Sequence, residues 1–299
     1  MKSNPILSIC MITYAHENFI EQAINGVLMQ ECDFEIELII ANDCSPDATD
    51  EIINRIIKSH PKGNVIKYTR HNKNKGIHSN FIWTINEAKG KYIALCEGDD
   101  YWIDPNKLQK QVDFLEENIG FVGSYHNTLV VYENEDKQHI YRENMKQQYE
   151  AEDTLSTWSL FHTSSFIFKK ECFVYKNFFE KCFSADMALF SIISLSGLLG
   201  KVDGTMSVYR KNDFGITSND VVFYESFYVN RIALLGYLNQ MHNYKYDYKY
   251  KKSIEELLQS MRFSIEKKLN LSINFSYFGI IRILNQKLDN NLKQLFYGK

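Results

Sequence analysis

The N-terminal half of the chain alternates between segments of strand character and segments of helix character, and this alternation restricts the fold most. Each apolar run of strand length is followed by a stretch whose apolar residues recur at the spacing of one helix face. Such alternation implies right-handed crossovers and an α/β fold with a mostly parallel, Rossmann-like sheet covered by helices on both faces. The predicted strands are 7–13, 34–41, 65–69 and 92–96, and the predicted helices are 18–29, 47–57, 78–88 and one that begins near Pro105.

The composition excludes several classes of protein. With 44% hydrophobic and 24% charged residues, the 299-residue chain has the composition of a soluble globular protein. The net charge of −3 offers no basic excess for a phosphate backbone, which argues against a general nucleic-acid binder. Six cysteines without C-x-x-C spacing indicate reduced, buried thiols. The longest apolar stretch, 187–199, is too short to span a bilayer. We therefore expect a cytoplasmic protein, and peripheral contact with the inner face of the cell membrane stays open.

A cluster of carboxylates, formed by Glu97, Asp99 and Asp100, follows the apolar strand 92–96. Adjacent acids repel one another, so their position at the tip of a hydrophobic strand favours a bound cation. Hard oxygen ligands gathered at one point bind Mg²⁺ or Mn²⁺ well, and such metals usually keep part of their shell for substrate phosphates. The cluster therefore predicts a divalent-metal site, whereas the simpler interpretation is a solvated acidic turn.

Polar residues also follow the other predicted strands: Thr13 and Tyr14 after the first, Asp43 after the second and Arg70 after the third. In open α/β sheets the ligand crevice lies outside the carboxyl ends of the strands. No G-x-G-x-x-G motif follows the first strand and no G-x-x-x-x-G-K-[ST] motif occurs, so dinucleotide and P-loop sites lose their main support. The strand ends therefore predict one ligand site at this edge of the sheet.

The second half of the chain is less regular. Strands are predicted at 121–131 and 161–169, a polar surface loop at 133–153 and a buried helix at 187–199. From about residue 220 the composition shifts to Tyr, Lys, Asn and Leu at helical spacing. This pattern predicts a helical C-terminal appendage. The appendage could face a membrane or mediate homo-oligomers, and the simpler interpretation is a solvated helix face.

Six sequence elements occur in an order and spacing that point to one family. They are Thr13-Tyr14, Asp43-Cys44-Ser45-Pro46-Asp47, Asn74-Lys75-Gly76 with Asn80, Lys89-Gly90-Lys91-Tyr92-Ile93-Ala94, Glu97-Gly98-Asp99-Asp100 and Lys107-Leu108. Over residues 7–215 the chain resembles bacterial family 2 glycosyltransferases of the GT-A fold. The resemblance implies a catalytic domain at 1–219, with a donor half at about 1–104 and an acceptor half at about 105–219, followed by the helical region 220–299.

The resemblance also implies roles for the residues at the strand ends. Asp43 corresponds to an acid that lies against the nucleotide base, and Thr13 and Tyr14 would line the same pocket. Asp43 could instead cap the following helix, and Arg70 could be an exposed loop residue and not a contact of the base or diphosphate. The acidic cluster corresponds to the D-x-D motif, with a glutamate in place of the first aspartate. Nucleotide binding is thus assigned to Thr13, Tyr14, Asp43, Arg70, Glu97 and Asp99, and metal binding (Mn²⁺ or Mg²⁺) to Asp99 and Asp100.

An inverting transfer needs a base that takes the proton of the attacking hydroxyl group. Asp186 resembles the acid that opens the last catalytic helix of the family, although an aspartate favoured by the helix dipole is the alternative. Tyr209 and Arg210 resemble a segment that closes over donor and acceptor. His162 lies in the predicted acceptor region and could equally be a structural histidine.

The implied activity is that of a metal-dependent hexosyltransferase. It would transfer a sugar from a nucleoside-diphosphate donor, with UDP expected, to a hydroxyl group of a saccharide acceptor. By resemblance, that acceptor would be lipid-linked and the pathway that of a surface polysaccharide. The alternatives are a receiver-like signalling domain and a non-catalytic carbohydrate-binding protein. A receiver-like domain would need an aspartate at the tip of the third strand, where Thr69-Arg70 stands.

Overall fold

The computed structural model describes residues 5–174, 179, 182, 184–212 and 225–269 of the chain. The chain divides into two compact units. The first unit comprises residues 1–150, 160–174 and 192–212, and the second comprises 151–159, 175–191 and 213–299. This grouping joins two segments before residue 213 to the C-terminal helices. The boundary predicted at residue 220 stays a prediction. The part of the predicted helical appendage beyond residue 269 lies outside the described residues.

The first unit is built on one ten-stranded sheet. Its strands are β1 Leu7–Thr13, β2 Ile36–Asn42, β3 Ile66–Arg70, β4 Tyr92–Leu95, β5 Tyr101–Trp102, β6 Phe121–Tyr132, β7 Gln138–Ile140, β8 Gln148–Tyr149, β9 Ile167–Lys169 and β10 Leu198–Lys211. Its complete helices are α1 Ile20–Leu28, α2 Thr49–Ser59, α3 Ile77–Glu87 and α4 Lys107–Glu117. The remaining helices are α5 Ala185–Ser194, of which residues 185–191 belong to the second unit, and α6 Glu225–Met241 and α7 Asp247–Leu269, both in the second unit.

The strands follow the order β3-β2-β1-β4-β9-β6-β10-β5, with β7 beside β6 and β8 beside β10. The first four are parallel, as predicted from the alternation of strands and helices. Strand β9 runs antiparallel to both of its neighbours, whereas β6 and β10 are parallel to each other. In register, Thr13 pairs with Asn42 and Asn42 with Arg70, so β1, β2 and β3 end at the same edge.

The core lies on one face of the sheet, under α1, α2 and α4. Alternate residues of β1 point into it, namely Leu7, Ile9 and Met11, and all three are completely buried. Helix α3 instead contacts β1 and β2 without joining this core. The sheet therefore carries helices on both faces, which confirms the predicted α/β architecture.

Two predictions for the second half are wrong. The interval 133–153, predicted as a loop, contains the short strands β7 and β8. The helix predicted at 187–199 ends at Ser194, and Leu198 already begins β10, the longest strand. Apolar residues continue across this boundary, so hydrophobicity alone could not separate a buried helix from a buried strand. The strand predicted at 161–169 is reduced to β9, after a short 3-10 turn at Thr163–Ser165.

In the second unit, α6 and α7 pack against each other and are hydrogen-bonded to the segment 151–159. Thr154 donates to Ser191 Oγ of α5 (3.0 Å), which lies 3.0 Å from Nε2 of His242. Ser253 of α7 donates to the carbonyl oxygen of Leu155 (2.5 Å). In the part of the chain that is described, no helix combines the length and the apolar character needed to cross a membrane.

Candidate active site

The loops that follow β1 and β2 are joined by hydrogen bonds. The backbone N–H of Ala15 donates to Ser45 Oγ (3.0 Å), and that of His16 donates to Thr49 Oγ1 (3.0 Å). Each loop contains one residue in the left-handed region, with φ of 57° at Ala15 and 64° at Cys44. Such backbone conformations cost of order 1–3 kcal/mol and cluster at functional sites. These two loops are therefore linked to each other at the carboxyl ends of β1 and β2.

Asp43 is buried at the end of β2 and binds the loop that precedes α3. Its Oδ1 accepts a hydrogen bond from the N–H of Lys75 (2.7 Å), and its Oδ2 accepts one from Gly76 (2.9 Å). Gly76 has a φ of 83°, a conformation that favours glycine. At the start of α2 it is Asp47, and not Asp43, that accepts a hydrogen bond from a helix N–H group, that of Thr49 at 3.2 Å. The alternative in which Asp43 caps this helix is therefore not observed. Both carboxylate oxygens retain a lone pair for a ligand.

The other residues predicted to bind the nucleotide lie around Asp43. The N–H of Asp43 donates to the carbonyl oxygen of Thr13 (2.9 Å), and the Thr13 hydroxyl is buried without a hydrogen-bond partner. Tyr14 is 46% exposed. Arg70 donates to the carbonyl oxygen of Ser45 (3.2 Å) and thus lies on the loop after β2. The structure brings these residues together, and their contacts with a nucleotide stay predictions.

The acidic turn after β4 closes tightly on the loop after β1. The N–H of Gly98 donates to the carbonyl oxygen of Ile12 (3.0 Å). A Cβ atom on Gly98 would lie 2.7 Å from Thr13 Oγ1 and 2.8 Å from His16 Nδ1. Only glycine allows this approach, which places Asp99 beside His16, leaves Glu97 and Asp99 half-buried and places Asp100 in the interior.

We therefore expect Gly98→Ala to displace the acidic turn. A side chain there must push against buried Thr13, and a displacement of about 1 Å can reduce catalysis by about 10²-fold. Far-UV circular dichroism should remain that of the wild type, while donor turnover and metal-dependent nucleotide binding should fall together. Gly120→Ala is the matched control, because a Cβ atom at Gly120 meets nothing within 4 Å. Wild-type turnover by Gly98→Ala would contradict the tight contact.

Asp100 is the most buried acid of the turn. Its Oδ1 accepts the N–H of Arg210 (3.1 Å), whereas its Oδ2 has no hydrogen-bond partner and lies 3.7 Å from His162 Nδ1. Burial raises the pKa of Asp100 well above its usual range, and the charges of Asp99 and Glu97 raise it further. The charge of Arg210 lowers the pKa of Asp100. A further positive charge at the turn, such as a metal ion, would stabilise all three carboxylates in their ionised form.

The residues of the turn fit a divalent cation that a ligand helps to bind. Asp99 Oδ2 lies 3.8 Å from His16 Nε2, and three buried polar atoms without hydrogen-bond partners surround the turn: Thr13 Oγ1, His16 Nδ1 and Asp100 Oδ2. Within the described residues, no three His, Cys, Asp or Glu side chains form a complete metal site. A cation at Asp99 and Asp100 would therefore need further oxygen ligands, as Mg²⁺ usually takes from phosphates and water.

Arg210 lies in β10, which pairs with β5, and it binds the acidic turn that precedes β5. Its Nε donates to the carbonyl oxygen of Asp99 (2.9 Å), and its terminal nitrogens bind Glu133 and, at 2.7 Å, Gln22 Oε1. The guanidinium group contacts two aromatic rings, with its central carbon 4.9 Å from the centroid of Phe19 and 4.8 Å from that of Tyr101. This arrangement supports the acidic turn. The predicted closure of the Arg210 segment over donor and acceptor stays a prediction.

His162 and Tyr209 form an aromatic cluster with Tyr141. The rings of His162 and Tyr209 stack with centroids 4.2 Å apart, and Tyr141 contacts His162 edge-on at 5.2 Å. Burial lowers the pKa of His162 to about 3, so the imidazole is neutral beside Asp100. The acceptor roles predicted for His162 and Tyr209 stay predictions. Tyr141 was missed because it lies in the interval predicted as a loop.

His16 was likewise not predicted to be a site residue. It lies three positions after Thr13, and its signal was its place at a strand end that already carried two predicted site residues. Asp186, the predicted base, lies in the second unit at the first turn of α5. Its Oδ2 accepts a hydrogen bond from Ser159. The resemblance alone assigns its role in proton transfer.

Lys107, part of the sequence motif, is completely buried at the start of α4. Its Nζ donates to Gln111 Oε1 (2.8 Å) and lies 4.1 Å from the centroid of the Trp102 ring. Burial lowers the pKa of Lys107 from 10.5 to about 7. The unfolded chain therefore binds more protons than the folded protein between these values, and this difference makes stability increase with pH in that window.

We expect Lys107→Met to remove this dependence on pH and to increase the free energy of unfolding most at or below pH 7. Replacing a buried charge with an apolar side chain of similar size is often neutral or stabilising. Urea unfolding of wild type and variant at about pH 7 and pH 8.5 gives the comparison. Lys110→Met is the control, because Lys110 on the same helix is 47% exposed. Equal slopes in wild type and Lys107→Met would contradict the lowered pKa.

The comparison with protein families identifies the chain. A family model described as glycosyl transferase family 2 matches residues 8–190, more than half of the sequence. The chain belongs to glycosyltransferase family 2. The match begins in β1 and ends in α5, so it includes the acidic turn and Asp186. Family membership excludes the receiver-like alternative and supports a transferase.

Two curated relatives illustrate the range of this family. An uncharacterised protein of Mycobacterium tuberculosis is 32% identical over 210 residues, which cover 70% of this chain and 60% of the relative. WfaP of Escherichia coli is described as a UDP-Glc:alpha-D-GlcNAc-diphosphoundecaprenol beta-1,3-glucosyltransferase. It is 34% identical over 125 residues, covering 42% of this chain and 47% of WfaP. The match thus spans at most about 60% of the length of either relative.

Solved structures of two glycosyltransferases share the fold. Staphylococcus aureus TarS in complex with UDP-GlcNAc aligns with a TM-score of 0.65 at 16% identity, covering 97% of this chain and 81% of TarS. The mannosyltransferase PcManGT from Pyrobaculum calidifontis, in complex with GDP-Man and Mn²⁺, gives 0.57 at 12% identity and covers 100% of this chain and 89% of PcManGT. The predicted GT-A fold is confirmed.

Proposed function

We propose that this family 2 enzyme is an inverting glycosyltransferase that moves a hexose from a UDP-linked donor to a hydroxyl group of a saccharide acceptor. One observation carries the proposal: Asp43 and the acidic turn meet at a single edge of the sheet. Thr13 joins them, because its carbonyl oxygen accepts from Asp43 and its side chain contacts Gly98. At this edge the carboxylate of Asp43 can accept a hydrogen bond from a nucleotide base, and the carboxylates of Asp99 and Asp100 lie on the neighbouring turn. A nucleoside diphosphate with a bound metal ion could use both groups.

In the proposed reaction, Asp43 binds the base, with Thr13, Tyr14 and Arg70 beside it. Asp99 and Asp100 would hold Mn²⁺ or Mg²⁺, which stabilises the charge of the departing diphosphate when it is bound. Arg210 keeps the acidic turn in place through the carbonyl oxygen of Asp99.

Asp186 accepts the proton of the attacking hydroxyl group in this proposal. The attack then inverts the configuration at the anomeric carbon, and the nucleoside diphosphate leaves from the opposite face.

The names of the relatives support the choice of substrates. TarS was solved with UDP and with UDP-GlcNAc, and WfaP is named for a UDP-glucose donor and an acceptor linked to diphosphoundecaprenol. TuaG of Bacillus subtilis is named as a putative glycosyltransferase of teichuronic acid biosynthesis. We therefore place the enzyme in surface polysaccharide biosynthesis with a lipid-linked acceptor. A metal requirement is supported by PcManGT, which was solved with Mn²⁺.

A thermal-shift panel of UDP-, GDP-, dTDP- and CMP-sugars, each with and without Mn²⁺, tests the proposal. A UDP-sugar with Mn²⁺ should give the largest shift, because a ligand at about 100 times its Kd stabilises a folded protein by about 2.7 kcal/mol. The largest shift from another nucleotide would overturn the choice of UDP. Binding without release of UDP over many hours would favour a non-catalytic carbohydrate-binding protein.

A further inference from the structure

The segment formed by Thr157, Trp158 and Ser159 connects α6 with Asp186 inside the second unit. At one end of the segment, Ser159 Oγ donates a hydrogen bond to Asp186 Oδ2. At the other end, the carbonyl oxygen of Thr157 accepts a hydrogen bond of 3.0 Å from Arg231 of α6. Three consecutive residues therefore contact both the predicted base and a residue of the C-terminal helices.

Arg231 is an unusual residue for the interior of a helical unit. It is only 7% exposed, and its guanidinium group lies 5.1 Å from the centroid of Phe227 and 6.0 Å from that of Trp158. Burying a charge costs several kcal/mol unless hydrogen bonds and neighbouring groups compensate for it. Here part of the compensation comes from the Thr157 carbonyl oxygen and from the aromatic faces of Trp158 and Phe227, so the segment that holds Ser159 contributes to the environment of the charge.

A second contact places Arg231 at the start of α5. Its guanidinium group reaches the sulfur atom of Met187, the residue that follows Asp186. The buried thiol of Cys182 also senses both charges. Burial raises the pKa of Cys182 to about 12, the charge of Asp186 raises it and that of Arg231 lowers it.

We propose that Arg231 is a positioning residue for Asp186. Arg231 fixes the Thr157 carbonyl oxygen and the Trp158 ring, these fix Ser159, and Ser159 holds Oδ2 of Asp186. The other carboxylate oxygen, Oδ1, is then presented to the acceptor hydroxyl group and takes its proton. This inference rests on the proposed function, in which Asp186 is the general base, and it makes α6 a part of the catalytic apparatus.

Donor hydrolysis, with UDP-glucose and UDP-GlcNAc plus Mn²⁺ as probes, tests the inference through kcat and the donor KM. Arg231→Met should lower kcat by about 10–10²-fold, a fraction of the effect of removing a general base, and should change KM less than about threefold. Ser159→Ala should also lower kcat and leave the donor KM nearly unchanged. Arg231→Lys, which keeps the charge and a donor for Thr157, should fall between Arg231→Met and wild type.

A double-mutant cycle separates positioning from general stability. If Arg231 acts through Ser159, then Arg231→Met combined with Ser159→Ala should be no slower than the slower single variant, because residues of one network are not additive. Fully additive effects would overturn the proposal. Arg262→Met, at an exposed arginine of α7, is the matched control and should keep wild-type kcat.

Asp186→Asn separates a failure of the base assignment from a failure of the positioning role of Arg231. Wild-type kcat in Asp186→Asn would overturn the base assignment, and the inference with it. A loss of kcat in Asp186→Asn combined with wild-type kcat in Ser159→Ala and Arg231→Lys would overturn the inference alone. If Arg231→Met does not fold, the decision rests on Ser159→Ala and Arg231→Lys, whose wild-type kcat would count against it.

Discussion

Asp99→Ala should reduce donor turnover by at least about 10²–10³-fold, the usual loss when a single electrostatic stabiliser is removed. The protein should stay folded, because the link between Arg210 and the turn uses the backbone carbonyl oxygen of Asp99, which alanine retains. Removing one of three neighbouring acids also relieves repulsion within the turn, since the charges of Asp99 and Glu97 raise the pKa of Asp100. The loss should therefore be one of metal and diphosphate binding and not one of stability.

The comparison needs a readout of binding as well as one of activity. Calorimetric titration of UDP in the presence of Mn²⁺ should show strongly weakened binding to Asp99→Ala, while the thermal midpoint without ligand equals or exceeds that of the wild type. Asp113→Ala, at an exposed acid of α4, is the matched control and should behave as the wild type. Undiminished turnover by Asp99→Ala, or full activity of the wild type in excess EDTA, would refute the metal assignment.

Asp186→Asn should lower kcat by about 10²–10⁴-fold with little change in the donor KM. Asparagine keeps an oxygen that can accept the hydrogen bond of Ser159, so the local structure is retained while the ability to take a proton is lost. Asp43→Ala should have the opposite signature. It removes an interaction made equally in the ground and transition states, so the donor KM should rise far more than kcat falls.

Steady-state kinetics of the two variants on the same donor provide the decisive contrast. Asp43→Ala carries one further expectation, because its carboxylate binds the N–H groups of Lys75 and Gly76. Proteolysis in the loop before α3 should therefore become faster in this variant and not in Asp186→Asn. If Asp186→Asn loses donor binding instead of kcat, Asp186 belongs to the donor site and another residue is the base.

The parallel half of the sheet could be predicted from the sequence because its signals are local. Strands β1, β2 and β4 are short, mostly apolar runs and β3 is a short mixed one, each is separated from the next by one α-helix, and the crossover rule leaves few ways to arrange them. The polar residues at their ends then had to meet at one edge. Thr13, Asp43 and the acidic turn do so, and the sequence interpretation needed only the period of the apolar residues and their ends.

The second half could not be predicted in the same way. Strand β10 pairs with β6 and β5, but its burial does not alternate, because residues 203 and 204 are exposed and residues 206–208 are buried in succession. It therefore lacks the pattern that marks a strand with one exposed face. Strand β8 contains two residues and pairs with β10, which lies much further along the chain. Strand β7 contains three residues and forms a hairpin with the end of β6. Both are too short, and too polar, for a local apolar pattern to indicate them.

Taken by itself, the sequence determined the family, the α/β class and the carboxylates at the end of β4, because each follows from residue type and local spacing. Only the tertiary structure decided how those carboxylates are held. Arg210 is more than a hundred residues from Asp99, whose carbonyl oxygen it binds, so no spacing rule joins them. The contact between Arg231 and Met187 likewise joins residues more than forty positions apart. The physical reason is that such contacts depend on which strands and helices become neighbours, and that choice is made by burial of the whole core.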